Sequence, residues 1–190
     1  MSSHRPFKNI ALIGFMATGK SAVGRLVAAQ LHYDFVDTDA LIEGRWHKQI
    51  NEIFEQDGEA QFRACEKQVV AELRNLSKTV ISTGGGLAAN AENLASLKEH
   101  ALVVCLWASA EIIWSRARRH SHRPLLHGQN PLEKIRLLLA ARLPWYRQAD
   151  VMINTERRSV FIVAHQVLYQ YRLATERPES SGALRKVHAQ

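Results

Sequence analysis

The stretch IALIGFMATGKSAVGRLVA, from Ile10 to Ala28, decides how the rest of the chain is read. Four apolar residues run into a glycine-framed loop, which opens an amphipathic pattern headed by Lys20 and Ser21. Gly14 to Ser21 fits G-x-x-x-x-G-K-[ST] at every fixed position, with a strand pattern before it and a helix pattern after it. The chemistry requires these residue types. Glycines let successive backbone N–H groups turn inward around a phosphate, and the following helix adds the positive end of its dipole. Lys20 is spaced to reach the β- and γ-phosphates, and the Ser21 hydroxyl to ligate Mg²⁺. Gly14, Ala17, Thr18, Gly19, Lys20, Ser21 and Ala22 are therefore the expected contacts of a nucleoside triphosphate, ATP above others.

Outward from the loop, short β-rich runs alternate with longer helical patterns. Strands are predicted over 9–13, 34–36, 79–82, 102–106 and 151–153. Helices are predicted over 21–31, 40–45, 59–76, 91–98, 110–119, 131–147 and 160–173. Such alternation argues for parallel βαβ units with helices on both sheet faces. At the 131 helix, Asn130 fits an N-cap, Pro131 the first turn and Glu133 a capping box. Pro144 is expected to kink that helix or end it early. The chain reads as one domain over 1–174. Residues 175–190 lose periodicity and read as a frayed tail, and the polar segment 118–130 reads as a lid.

Composition narrows the function. The 190 residues are 46% hydrophobic and 23% charged, ordinary for a globular protein. No apolar run approaches the ~20 residues of a membrane span. The polar N-terminus carries no signal-peptide pattern, and Cys65 and Cys105 read as separate, reduced core thiols, so a cytoplasmic setting is expected. The net charge of +7 comes with arginines gathered in a few places and without any nucleic-acid-binding signature. Anionic small substrates, rather than nucleic acid or membrane, account for it.

A GTPase base-reading motif, Asn-Lys-x-Asp, does not occur in the sequence. The third strand ends in Val80-Ile81-Ser82-Thr83-Gly84-Gly85-Gly86, with amides where a motor ATPase carries an acid. The acids occur instead at Asp37 and Asp39, read as alternating across the end of the second strand, where an α/β sheet binds ligands. Taken alone, capping or solvation explains them as well. Asp57-Gly58-Glu59 leads to Arg63 and Glu66, three residues apart on one helical face. Arg123 opens Arg-Pro-Leu-Leu in the lid, and Arg142 opens R-x-P-x-Y-x-x-A-D.

In order, from about residue 10 to 173, these motifs resemble those of the shikimate kinase family. The resemblance implies an α/β/α sandwich of the nucleoside-monophosphate-kinase-like, P-loop type around a five-stranded parallel sheet, with a mobile lid. It further implies an ATP-dependent transfer to the 3-hydroxyl of shikimate by a monomer. Asp39, Lys20 and Arg123 would be catalytic, with Asp39 meeting the attacking hydroxyl and Arg123 meeting charge on the transferring group. Arg63 and Arg142 would clamp the substrate carboxylate, with Gly84, Gly85 and Gly86 against its ring. Glu66 would hold Arg63. Ser21 and, through water, Asp37 would place Mg²⁺. Arg116 and Arg157 would flank the adenine, with Arg119 or Arg158 as alternative bearers. Rival readings are a gluconate-type kinase, disfavoured by the D-G-E-x-x-F-R and R-P-L-L pair, and a non-catalytic nucleotide binder. One position departs from the family's pattern: Ala17 stands where glycine is usual, and its Cβ would crowd a left-handed turn at a cost of ~1 kcal/mol. A weaker nucleotide affinity is the expected consequence.

Overall fold

The computed structural model describes residues 7–118 and 130–176. In chain order they form β1 (Asn9–Ile13), α1 (Lys20–Leu31), β2 (Asp34–Asp37), α2 (Thr38–Trp46) and a short α3 (Ile50–Glu52). A π-helical segment, Ile53–Asp57, leads into α4 (Gly58–Leu73), followed by β3 (Thr79–Ser82). A 3₁₀ turn, Leu87–Ala89, precedes α5 (Ala91–His100), β4 (Ala101–Trp107) and α6 (Ala110–Ala117). The chain continues with α7 (Pro131–Tyr146), β5 (Val151–Asn154) and α8 (Val160–Thr175). The predicted segments 118–130 and 175–190 fall almost entirely outside the described residues.

The strands form one parallel sheet in the order β2-β3-β1-β4-β5. Strand alternation sends successive residues of β1 to opposite faces. Ile10 and Leu12 join Val23, Val27, Val163 and Val167 in a core beneath α1 and α8. Ala11 and Ile13 join Phe62, Val69, Leu94, Ile113 and Tyr146 on the other side. Helices therefore cover both faces, and the α/β/α sandwich follows from the apolar content of the central strands. β1 lies between β3 and β4, so the loop leaving its C-terminal end opens at the sheet's crevice.

Several local expectations need correction. β2 ends at Asp37, and Asp39 lies in the first turn of α2 rather than on the strand. The cause is a cap: Asp37 Oδ1 accepts the Asp39 N–H at 3.1 Å, which starts a helix where alternation suggested extended chain. Asn130 makes no side-chain cap bond, and Glu133 lies 3.5 Å from Arg136. Pro144 lies inside α7 without ending it early: the helix runs on to Tyr146, although the proline has no N–H to donate to Ala140 O. α4 stops at Leu73, three residues before the predicted end.

At the other end of the sheet, Asn9 joins three segments. Its Oδ1 accepts the Thr79 N–H at 3.0 Å, and its Nδ2 donates to Leu76 O at 2.8 Å. The same amide lies 3.0 Å from His100 Nδ1, which must therefore accept. His100 Nε2 is buried with no partner. Burial lowers the His100 pKa, with Arg74 and Lys8 acting in the same direction and Glu99 opposing. A proton on Nδ1 would face an N–H donor. The neutral ring thus contributes stability above the unfolded value of about 6.5, and that contribution is lost as pH falls below it. The denaturation midpoint of the wild type should fall more steeply between pH 7 and 5 than that of His100→Gln, which keeps an acceptor and does not titrate. Equal slopes would contradict the account.

Candidate active site

Gly14 leaves β1 with φ 131°, a conformation suited to glycine, and a Cβ there would run into the Leu106 carbonyl. Gly19 (φ 97°) caps α1, so the loop amides and the helix N-terminus share one mouth. Lys20 is 8% exposed, and its Nζ donates to Gly14 O and Phe15 O at 2.9 Å each. Thr18 Oγ1 donates to Phe15 O at 2.8 Å, closing the turn from inside. A cleft of about 540 Å³ brings Met16, Ala17, Gly19, Lys20, Ser21 and Ala22 together with Asp37, Asp39 and Arg116.

Ser21 Oγ donates to Asp37 Oδ2 at 2.7 Å. A hydroxyl and a carboxylate side by side at a phosphate loop are hard oxygen donors of the kind Mg²⁺ takes together with phosphate oxygens. The residues fit that ion. Among the described residues no cluster of three or more His, Cys, Asp or Glu could hold a metal without such help.

Gly84, Gly85 and Gly86 form the opposite wall. Thr38, fully buried between the two aspartates, accepts the Gly84 N–H on its Oγ1 at 2.9 Å. A Cβ at Gly84 would collide with Asp39 Oδ1 and lie 3.4 Å from Glu66 Oε1. At Gly85 it would meet Met16 N at 3.1 Å, and at Gly86 Arg63 Nη1 at 2.9 Å. Three glycines therefore let the phosphate loop, Asp39 and Arg63 converge on one strip of bare backbone.

The charges there are balanced closely. Glu66, 1% exposed, accepts from Arg63 Nη1 at 2.6 Å on Oε2, while its Oε1 is buried without a partner. Burial raises its pKa and the Arg63 guanidinium opposes the rise. Glu59 holds the far side of Arg63 at 2.9 Å. Burial, with Asp37 adding to it, pushes the Asp39 carboxyl up to about 6, and Lys20 pulls it back. Such a carboxylate is a better proton acceptor than an exposed one. Arg142 Nη1 donates to Gly85 O at 3.1 Å and its guanidinium lies 5.2 Å over the Phe15 ring.

On the nucleotide side, Arg116 donates to Thr155 O at 2.8 Å, to Thr155 Oγ1 at 3.0 Å and to Ala17 O at 3.3 Å. Of the two adjacent arginines, Arg158 is engaged away from the cleft with Asn154 O and Gln166 Oε1, each at 3.0 Å. Arg157 is exposed in a left-handed turn, φ 52°. Arg123 and Arg119 lie outside the described residues. Sequence reading assigned no role to Thr38, Thr155 or Tyr146, whose hydroxyl donates to Gly85 O at 2.7 Å. Thr38 and Tyr146 sit inside motifs already picked out, so motif membership was the available signal.

A strand, phosphate loop and helix with an acid, two arginines and a glycine wall beside them define a P-loop phosphotransferase for a small anionic acceptor. The family model for shikimate kinase matches residues 16–172. A shikimate kinase of Thermodesulfovibrio yellowstonii is 43% identical over 164 residues, 86% of this chain and 95% of that protein. The structure of shikimate kinase from Acinetobacter baumannii in complex with shikimate superposes with TM-score 0.85 at 37% identity, covering 93% of this chain and 98% of that one. A gluconokinase from Sinorhizobium meliloti shares the fold (TM-score 0.64) at 20% identity, over 90% of this chain and 97% of its own. The chain belongs to the shikimate kinase family.

Ala17 adopts φ 59°, so its Cβ sits in the left-handed turn that the sequence foresaw. The strain is built into the folded loop. Ala17→Gly should stabilise the protein by about 1 kcal/mol, a rise of roughly 2–4 °C in Tm for a chain of this size. A lower Tm in differential scanning fluorimetry would contradict that.

Proposed function

We propose that this chain transfers the γ-phosphoryl group of ATP to the 3-hydroxyl of shikimate. The observation that carries the reading is the convergence of Asp39, Arg63 and the Arg142 side chain of α7 on Gly84–Gly86, directly against Met16 of the phosphate loop. An acceptor with a ring, hydroxyls and a carboxylate matches that set. The guanidinium forks of Arg63 and Arg142 suit the carboxylate, because planar donor pairs match its two oxygens. The glycine strip lets a ring lie against backbone, and Asp39 orients a hydroxyl and accepts its proton late in the transfer.

Phosphoryl transfer proceeds through a loose transition state, so positioning and charge neutralisation dominate over base strength. Lys20, already aimed by two carbonyls, exchanges them for phosphate oxygens. Ser21 and Asp37 would hold Mg²⁺, which when bound neutralises charge on the β- and γ-phosphates. Arg116 and Arg157 would border the adenine, and Arg123 would meet charge on the transferring group. A single domain over 1–174 working as a monomer, with a closing lid at 118–130, belongs to the same reading. Among the described residues no helix is long and apolar enough to cross a membrane; a cytoplasmic setting is part of the proposal.

Coupled ADP release should depend on shikimate and not on gluconate, and Lys20→Ala should lower kcat by orders of magnitude while leaving the fold intact. ADP release indifferent to the acceptor would remove the assignment. Near-wild-type turnover in Lys20→Ala would remove the loop from the ATP site.

A further inference from the structure

Arg142 and Tyr146 are four residues apart in α7 and so share a face of the helix. Both side chains end on one atom. Gly85 O accepts from Tyr146 Oη at 2.7 Å and from Arg142 Nη1 at 3.1 Å. A carbonyl oxygen has two lone pairs, so both bonds are made at once. Tyr146 is 1% exposed, and burial holds its phenol well above the ordinary range, so it remains a donor. The residue whose carbonyl is shared has its backbone against Met16 N of the phosphate loop.

We infer that Tyr146 is a positioning residue of the carboxylate clamp: its hydroxyl fixes and half-satisfies the Gly85 carbonyl, which in turn aims the Arg142 guanidinium. The inference rests on the reading of Arg142 as a reader of the substrate carboxylate. The Phe15 ring, 5.2 Å below, limits the guanidinium's position, and one N–H is tied to Gly85 O. Its remaining donors are thereby left with a narrow range of directions. Without the phenol hydroxyl, Gly85 O has a lone pair to fill at a half-buried position, and an acceptor partly withdrawn from water is costly to leave unpaired. Arg142 already donates to this oxygen at 3.1 Å. The guanidinium then turns further onto the carbonyl, and donors meant for the substrate are withdrawn. Tyr146 touches no reacting atom; it acts through Gly85 and Arg142.

The test compares two acceptors by calorimetry, shikimate and its methyl ester, in wild type and in Tyr146→Phe. The wild type should bind the acid at least tenfold tighter than the ester. Tyr146→Phe should shrink that preference by about three- to tenfold, the net worth of one hydrogen bond. Shikimate KM should rise by a similar factor, with kcat and the ATP KM nearly unchanged. The acid-to-ester ratio is taken within one variant, so a general loss of stability does not move it. A wild type that does not distinguish acid from ester overturns the carboxylate-clamp reading itself. A wild type that does, with the preference intact in Tyr146→Phe, overturns the role of Tyr146 alone.

Discussion

The site depends on three consecutive residues without side chains. Gly84, Gly85 and Gly86 follow β3, and a Cβ at each would press on Asp39, Met16 and Arg63 respectively. One strip of backbone thus sets the separation between the phosphate loop and the groups beside it. Around it the fold supplies fixed points on every side. Thr38 holds the Gly84 N–H, Tyr146 and Arg142 hold the Gly85 carbonyl, and the parallel pairing of β3 with β1 sets the strip beside the phosphate loop.

Electrostatics are arranged around the same strip. Asp39 and Glu66 are both carboxylates withdrawn from water, and each has a cation set against it: Lys20 for Asp39 and Arg63 for Glu66. Burial of a carboxylate is unfavourable without such a partner. Lys20 and Arg63 also carry the two anionic ends of the proposed reactants. Partners that the protein needs for its own stability are therefore those it presents to its ligands. That economy accounts for the buried orphan oxygen of Glu66, which lies toward the glycine strip rather than toward another donor.

The phosphate loop was legible in sequence because its constraints are local: a left-handed turn, a helix start, a lysine and a hydroxyl at fixed spacing. The strands and most helices were legible from periodicity, to within a few residues at their ends. Asp39 was assigned to the wrong element because alternation cannot register a side-chain cap, and Asp37 makes one. The Ile53–Asp57 π segment was not foreseen; it adds a wider turn ahead of α4 that no 3.6-residue pattern describes. The contact made by Tyr146 is illegible in sequence for another reason. A tyrosine in a helical pattern looks like core, and it is core, but its hydroxyl reaches a carbonyl 61 residues away in the chain. Bonds of that separation follow from the fold and from nothing local.

The placing of Asp39 depends on the bareness of the glycine strip. Gly84→Ala adds one methyl group where Asp39 Oδ1 now lies, and the carboxylate must move. Displacement of about 1 Å in a positioning group costs roughly 10² in rate. The measurement is kcat with shikimate for Gly84→Ala, alongside its ATP affinity and its melting temperature. The account predicts a fall in kcat of about 10²-fold or more with ATP affinity within a few-fold of wild type and a folded protein. Turnover close to wild type would show that Asp39 is not held against Gly84, and would contradict it.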